Sequence, residues 1–180
     1  MDKWELIKSE PGHDLKLFRS RFDFVKNPRN GKTVRVIILE GGDSVNVVAK
    51  TTSDDFVMVK QYRFGIKGDT IEAPGGLIDP GETPLQAAQR ELREETGYSS
   101  EDWEYLGAIQ SNPVYMDSYI HHFLAREASL TDVVQLDEGE DVQVRLMRKE
   151  EIQKAAAEGL IRHPHTLSAF NRLFDIWRKS

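Results

Sequence analysis

The sequence predicts an α+β protein, an α/β/α sandwich whose mixed β-sheet lies between helices, with a strand-rich appendage at its N-terminus. Three observations lead there. Short β-branched or alternating runs occur on both sides of one sharply bounded central helix. The C-terminal part changes to helical periodicity. Turn residues divide the chain near residue 44, so residues 1–44 read as a β-rich segment and residues 45–180 as the main domain.

Leu15–Val25 alternates Leu15, Leu17, Phe22 and Phe24 with charged residues, and Asn27-Pro28-Arg29-Asn30-Gly31 then supplies a turn. Thr33–Leu39 is a β-branched run closed by Gly41-Gly42. Val45–Ala49 and Phe56–Gln61 follow as short strands around a polar turn. Gly65–Asp69 reads as a loop, and Pro74-Gly75-Gly76 through Pro80-Gly81 as a glycine- and proline-rich connection. After the central helix, strands are expected at Trp103–Gln110, Ser118–Ala125 and Val142–Met147. Helices are expected at Glu150–Glu158 and His165–Arg178. In the last, Leu167, Phe170, Leu173, Phe174 and Trp177 recur at helical spacing, the pattern of a core-facing stripe.

The central helix is the best marked element. Thr83 offers a capping hydroxyl, Pro84 suits the first helical position, and Gln86 completes a capping box. Gly97 stands where a left-handed residue ends a helix. At about 100° per residue, Leu85, Ala88, Leu92 and Thr96 form the core stripe, while Glu91, Glu94 and Glu95 gather on another side. Three glutamates alone would read as a solvated face. Here they lie at the C-terminal end, where the macrodipole disfavours anions, and a glycine-rich loop precedes them. Arg90 relieves part of the repulsion and Glu82 lies within its reach. The remaining charge calls for a hard cation such as Mg²⁺, which takes few carboxylates together with waters and phosphate oxygens.

Composition narrows the classes further. The 180 residues carry 24 basic and 30 acidic side chains, a net charge of -6, which argues against non-specific nucleic-acid binding. No cysteine is present, so thiolate chemistry is excluded. The opening residues lack a signal-peptide pattern and no run reaches membrane-spanning length, so a cytoplasmic protein without a membrane partner is expected.

Gly76, five residues, Glu82, seven residues, and then Arg90-Glu91-Leu92-Arg93-Glu94-Glu95-Thr96-Gly97 resemble a complete Nudix box. Chance occurrence of these polar and glycine positions is on the order of one in 10⁸ per start point. Tyr98 stands where that box more usually has an aliphatic residue. The resemblance implies the Nudix fold and hydrolysis of nucleoside diphosphate derivatives with Mg²⁺ or sometimes Mn²⁺. It implies Glu91, Glu94 and Glu95 as metal ligands, with the Gly75 carbonyl as an additional one, and Glu82 and Arg90 as holding the loop-helix geometry.

Further segments resemble the ADP-ribose and nucleoside diphosphate sugar pyrophosphatase branch: Glu72-Ala73-Pro74-Gly75-Gly76-Leu77-Ile78-Asp79, Gln61-Tyr62-Arg63, and Pro113 sixteen residues after Gly97. Arg63 and Glu72 are therefore expected at the substrate. Val114 departs from the glycine often found after that proline, so GDP-mannose and other nucleotide sugars stay open beside ADP-ribose. Asp137-Glu138-Gly139-Glu140-Asp141 resembles the branch's acidic loop, with Glu140 the expected general base; Glu94 joins it among the catalytic residues. In this branch the N-terminal strands build a homodimer, which makes Phe18 a candidate for stacking on the base and Arg35 a polar partner. His121-His122 is expected to be structural or surface, since adjacent strand residues face opposite ways. Two alternatives stand: a nucleotide-sensing Nudix module without hydrolysis, and hydrolysis of dinucleoside polyphosphates.

Overall fold

A computed structural model describes residues 3–136, 139 and 141–178 of the chain. The elements are β1 (Glu5–Asp14), β2 (Arg19–Lys26), β3 (Thr33–Glu40), β4 (Ser44–Thr51), β5 (Phe56–Arg63), β6 (Gly68–Glu72), α1 (Pro84–Thr96), β7 (Tyr98–Ser99), β8 (Asp102–Gln110), β9 (Tyr119–Leu130), β10 (Val142–Met147), α2 (Lys149–Ala157) and α3 (Pro164–Asn171). They fall into two compact units, one of residues 1–43 with 109–119, the other of residues 44–108 with 120–180.

The first unit is an antiparallel three-stranded sheet in the order β1-β2-β3. β1 was not expected from the sequence, because Glu5–Asp14 holds proline, glycine and charged residues and buries almost nothing. It forms as an edge strand, the one place where Pro11 leaves no ladder bond unmade. The expected strand at Leu15 starts four residues later, at Arg19; Leu15 and Leu17 occupy the exposed hairpin turn, where Lys16 takes a φ of 67°.

The second unit is built on a mixed sheet in the order β10-β5-β4-β9-β7, with β6 pairing β5 and β8 pairing β9. β4 and β9 run parallel, and β5 is antiparallel to β4, β6 and β10. Period-two alternation gives this sheet two buried faces. Val45, Val47 and Ala49 meet Ala87, Ala88 and Leu92 of α1. Val48, with Phe56, Met58 and Leu124, meets Ile152 of α2 and Phe170 of α3. Each large apolar side chain so buried contributes on the order of 2 kcal/mol. The sandwich expected from the sequence is therefore present.

Three details differ. β6 includes Gly68 and Asp69, expected as loop, because a polar strand is stable when its ladder to β5 is complete. α3 stops at Asn171, so Leu173 and Phe174 reach the core from the following turns and Trp177 remains 53% exposed. Leu85 is also exposed, whereas Ala87 replaces it on the buried face of α1. Among the described residues, no helix is long and apolar enough to cross a membrane.

Candidate active site

Residues 73–76 run beside β4. The Pro74 and Gly76 carbonyls accept from the Val47 and Val45 amides at 2.8 and 2.9 Å. Gly75, between them, turns its N–H the other way and donates to Glu95 Oε2 at 2.9 Å. A Cβ at Gly75 would run into the Val45 carbonyl, and one at Gly76 would lie 2.6 Å from the Glu91 carboxyl carbon. The two glycines are thus what lets backbone and carboxylates meet.

Two residues that sequence reasoning missed clamp this loop. Thr166, fully buried on α3, accepts from the Ala73 N–H at 3.1 Å, and buried Asn46 donates to the Ala73 carbonyl at 3.1 Å. Neither carries a motif, since each acts only through tertiary contact.

α1 presents the carboxylates. Its capping box forms as expected, with Thr83 and Gln86 bonded reciprocally, and Gly97 closes it at a φ of 75°. Arg90 gathers four groups: Glu82 at 2.9 Å, Glu91 at 2.8 Å, Glu94 at 3.2 Å and the Leu77 carbonyl at 2.9 Å. The Glu82 hydrogen bond, ahead of the others, raises the Arg90 pKa, and Arg90 in turn lowers that of Glu82. Glu95 is 4% exposed and the Glu91 side chain 12%.

This donor set suits a small divalent ion. Two sheltered carboxylates, Glu91 and Glu95, are hard oxygen donors beside the same two glycines. Among the described residues no three acidic or histidine side chains converge on one point. Glu94 shares Arg90 with Glu91 one turn further along the helix.

Arg63 and Glu72 are brought together, though chiefly with each other. The guanidinium forks onto the carboxylate at 2.9 and 2.6 Å, and Glu72 is 1% exposed. Glu72 pairs with Val59 across β5 and β6, so it shares a face with Val57 and the α1 cluster. His163 Nδ1 stands 3.4 Å from Glu72, and burial lowers its pKa. A cavity of about 310 Å³ opens beside this trio, lined also by Ile66, Thr70 and Arg162.

Phe18 and Arg35 belong to the first unit, where the Phe18 ring lies against Gly41 and the Arg35 guanidinium sits 3.8 Å over the Phe22 ring. Glu140 lies outside the described residues. Among the paired histidines, His122 is fully buried with Nε2 3.2 Å from the Ser168 hydroxyl, while His121 meets the Tyr105 hydroxyl on the opposite face.

Known proteins similar to this chain bear on that geometry. A family model described as NUDIX domain matches residues 41–170. An ADP-ribose pyrophosphatase of Bacillus subtilis (strain 168) is 36% identical over 126 residues, 69% of this chain and 68% of that protein. A methanol dehydrogenase activator of Bacillus methanolicus is 36% identical over 137 residues, 76% of this chain and 74% of that protein. Among solved structures, an ADP compounds hydrolase superposes with a TM-score of 0.82 at 22% identity, covering 96% of this chain and 93% of the other, a likeness of fold.

Proposed function

We propose, from the premise that this chain belongs to the Nudix family and is a Nudix pyrophosphatase, that it hydrolyses ADP-ribose or a closely related nucleoside diphosphate sugar. The products would be a nucleoside monophosphate and a sugar phosphate. The observation that carries this reading is the placing of the Glu91 and Glu95 carboxylates on the Gly75-Gly76 backbone. Similarity to ADP-ribose pyrophosphatases directs the choice of substrate.

In this proposal Glu91, Glu95 and the Gly75 carbonyl hold Mg²⁺, or Mn²⁺ in its place, and Glu94 adds a ligand when it leaves Arg90. Such an ion polarises phosphoryl oxygens and lowers the pKa of a bound water. Arg90 keeps Glu82, Glu91 and Glu94 from dispersing, and Glu95 fixes the Gly75 amide. Arg63, oriented by Glu72, presents positive charge to the diphosphate. Glu140 serves as general base. Residues 1–44 build a homodimer, in which Phe18 and Arg35 contact the nucleoside bound by the partner subunit.

The test is a substrate panel with Mg²⁺: ADP-ribose, GDP-mannose, NADH and a dinucleoside polyphosphate. ADP-ribose is expected to turn over fastest, giving AMP and ribose 5-phosphate, with activity lost in EDTA. A second reading, regulation of another enzyme, draws on the similarity to the methanol dehydrogenase activator. Tight binding of one compound with turnover of none would favour it.

A further inference from the structure

We infer that a cavity at the far end of β4 is a second binding site, separate from the α1 carboxylates, for a small organic anion with an apolar body. The cavity measures about 630 Å³, within the size range of small-molecule sites. Its floor belongs to the sheet face packed by α2 and α3, whereas α1 covers the other. Lys50 lines it, five residues along β4 from the Val45 amide that meets the Gly76 carbonyl. At about 3.3 Å per strand residue, that separation is roughly 16 Å.

Alternation along the strands gathers the charge. Val48 and Leu124 belong to the α2 and α3 side, so Lys50 and Arg126, two positions on, project there as well. Lys50 also pairs with Phe56 across β4 and β5. Its Nζ stands 5.9 Å from the Phe56 ring centroid, and Lys149 Nζ, at the start of α2, stands 5.0 Å from that of Phe174. The two rings are 5.8 Å apart and form the floor with Leu124 and Leu173. Pairing of β4 with β9 is regular to Ala49 and Ala125 and resumes at Thr51 and Ala128, so β9 bulges by one residue. A bulge re-aims side chains, and Glu127 there, at a φ of 51°, also lines the cavity.

Charge and surface together select the ligand. Lys50, Arg126 and Lys149 face one cavity in a chain whose net charge is -6. Lys50 pairs at 2.5 Å with Asp54, a largely exposed carboxylate on the rim, where water screens the attraction. Arg126 is shared by Asp102 and Glu104 of β8. Lys149, over the Phe174 ring, makes no ion pair among the described residues. An ammonium group without a carboxylate partner, above an aromatic floor, attracts an anion that brings its own apolar body. A neutral ligand would leave that charge uncompensated, and an inorganic anion would leave the floor in water. A carboxylate, sulfonate or phosphate ester on an aryl or aliphatic frame satisfies both.

The experiment titrates the full chain with anilinonaphthalene sulfonate, an aryl sulfonate that fluoresces on leaving water. Wild type is compared with Lys149→Glu, Lys50→Glu and Lys154→Glu, the last on α2 outside the cavity as a control for net charge. One saturable site per chain is expected, weakened at least about tenfold by Lys149→Glu and Lys50→Glu and less than about twofold by Lys154→Glu. Naphthoate or naphthyl phosphate should displace the dye, and whichever does so better names the anionic group; inorganic sulfate and neutral naphthol should not. KM for ADP-ribose should stay within about twofold in all three variants. Equal weakening by Lys154→Glu, displacement by naphthol, or no saturable binding to wild type would overturn the site. Lost dye binding with a tenfold higher KM in Lys149→Glu would assign the cavity to the substrate and overturn its separateness. Lys149 is exposed, so its substitution leaves folding intact, and the dye titration stands whether or not ADP-ribose is the substrate.

Discussion

Glu95 is nearly buried and accepts a backbone N–H from the loop it faces, so one carboxylate both shapes the site and supplies charge to it. Glu95→Gln keeps an acceptor for Gly75 while removing the charge. Its kcat should fall at least about 100-fold, as for a lost metal-stabilised transition state, with little change in thermal midpoint. Near-normal turnover in that variant would refute the assignment. Arg63 poses a different problem, because its removal strands the buried Glu72 carboxylate. Arg63→Ala should cost about 1–3 kcal/mol of stability, read by urea unfolding, in addition to raising KM. His122 makes stability depend on pH. Burial, followed by the nearby positive charge of Arg172, pushes its pKa down to about 4 from an ordinary 6.5. The unfolded chain then binds the proton first. Stability is full above pH 6.5 and declines between pH 6.5 and 4, by up to about 3 kcal/mol from this group. Denaturation series at pH 7 and 4.5 should show a shallower decline in His122→Gln than in wild type.

At the scale of elements, α1 is held by its ends and by small residues. Ala87 and Ala88 let its backbone approach β4, and Leu92 fills the remaining space. The capping box and the left-handed Gly97 satisfy backbone groups that would otherwise be left at the helix ends. Thr83→Ala should reduce stability by about 1 kcal/mol. Gly97→Ala should be worse, since a Cβ there meets the Asp132 carbonyl at 2.5 Å and the backbone must leave a positive φ. Because Glu94 and Glu95 occupy the last turn, Gly97→Ala should also weaken Mg²⁺ activation, visible as a raised half-saturating Mg²⁺ concentration. Equal Mg²⁺ dependence in both cap variants would disconnect the C-cap from the carboxylates. The limits of α1 are legible in the sequence because proline, hydroxyl and glycine act locally. Those of β1 and β6 are not, because their residues lack period-two burial and their stability comes from ladder bonds to β2 and β5.

For the whole molecule, residues 109–119 belong with residues 1–43 in one compact unit. The Leu39 amide donates to the Tyr115 carbonyl at 2.7 Å, tying β3 to the segment after β8. A boundary near residue 44 is readable from the Gly41-Gly42 turn, but inclusion of the later segment is not. The three-stranded sheet exposes Leu6, Val34 and Ile37, apolar surface that fits the proposed homodimer. Sedimentation of the full chain should show a dimer, and Ile37→Lys should raise its dissociation constant at least about tenfold. A monomeric wild type at micromolar concentration would end that proposal.

The chain's own residues determined the α1 limits, the acidic face at its C-terminal end, the alternation that buries both faces of β4, and the family. All of these depend on neighbours within a few positions, where spacing translates directly into direction. Tertiary structure decided that Arg63 forks onto Glu72 and that Thr166 and Asn46 hold Ala73. Each of these joins residues distant in sequence through sheet register or helix packing. No local pattern reports such pairings, because the free energy that selects them arises only when the whole core closes.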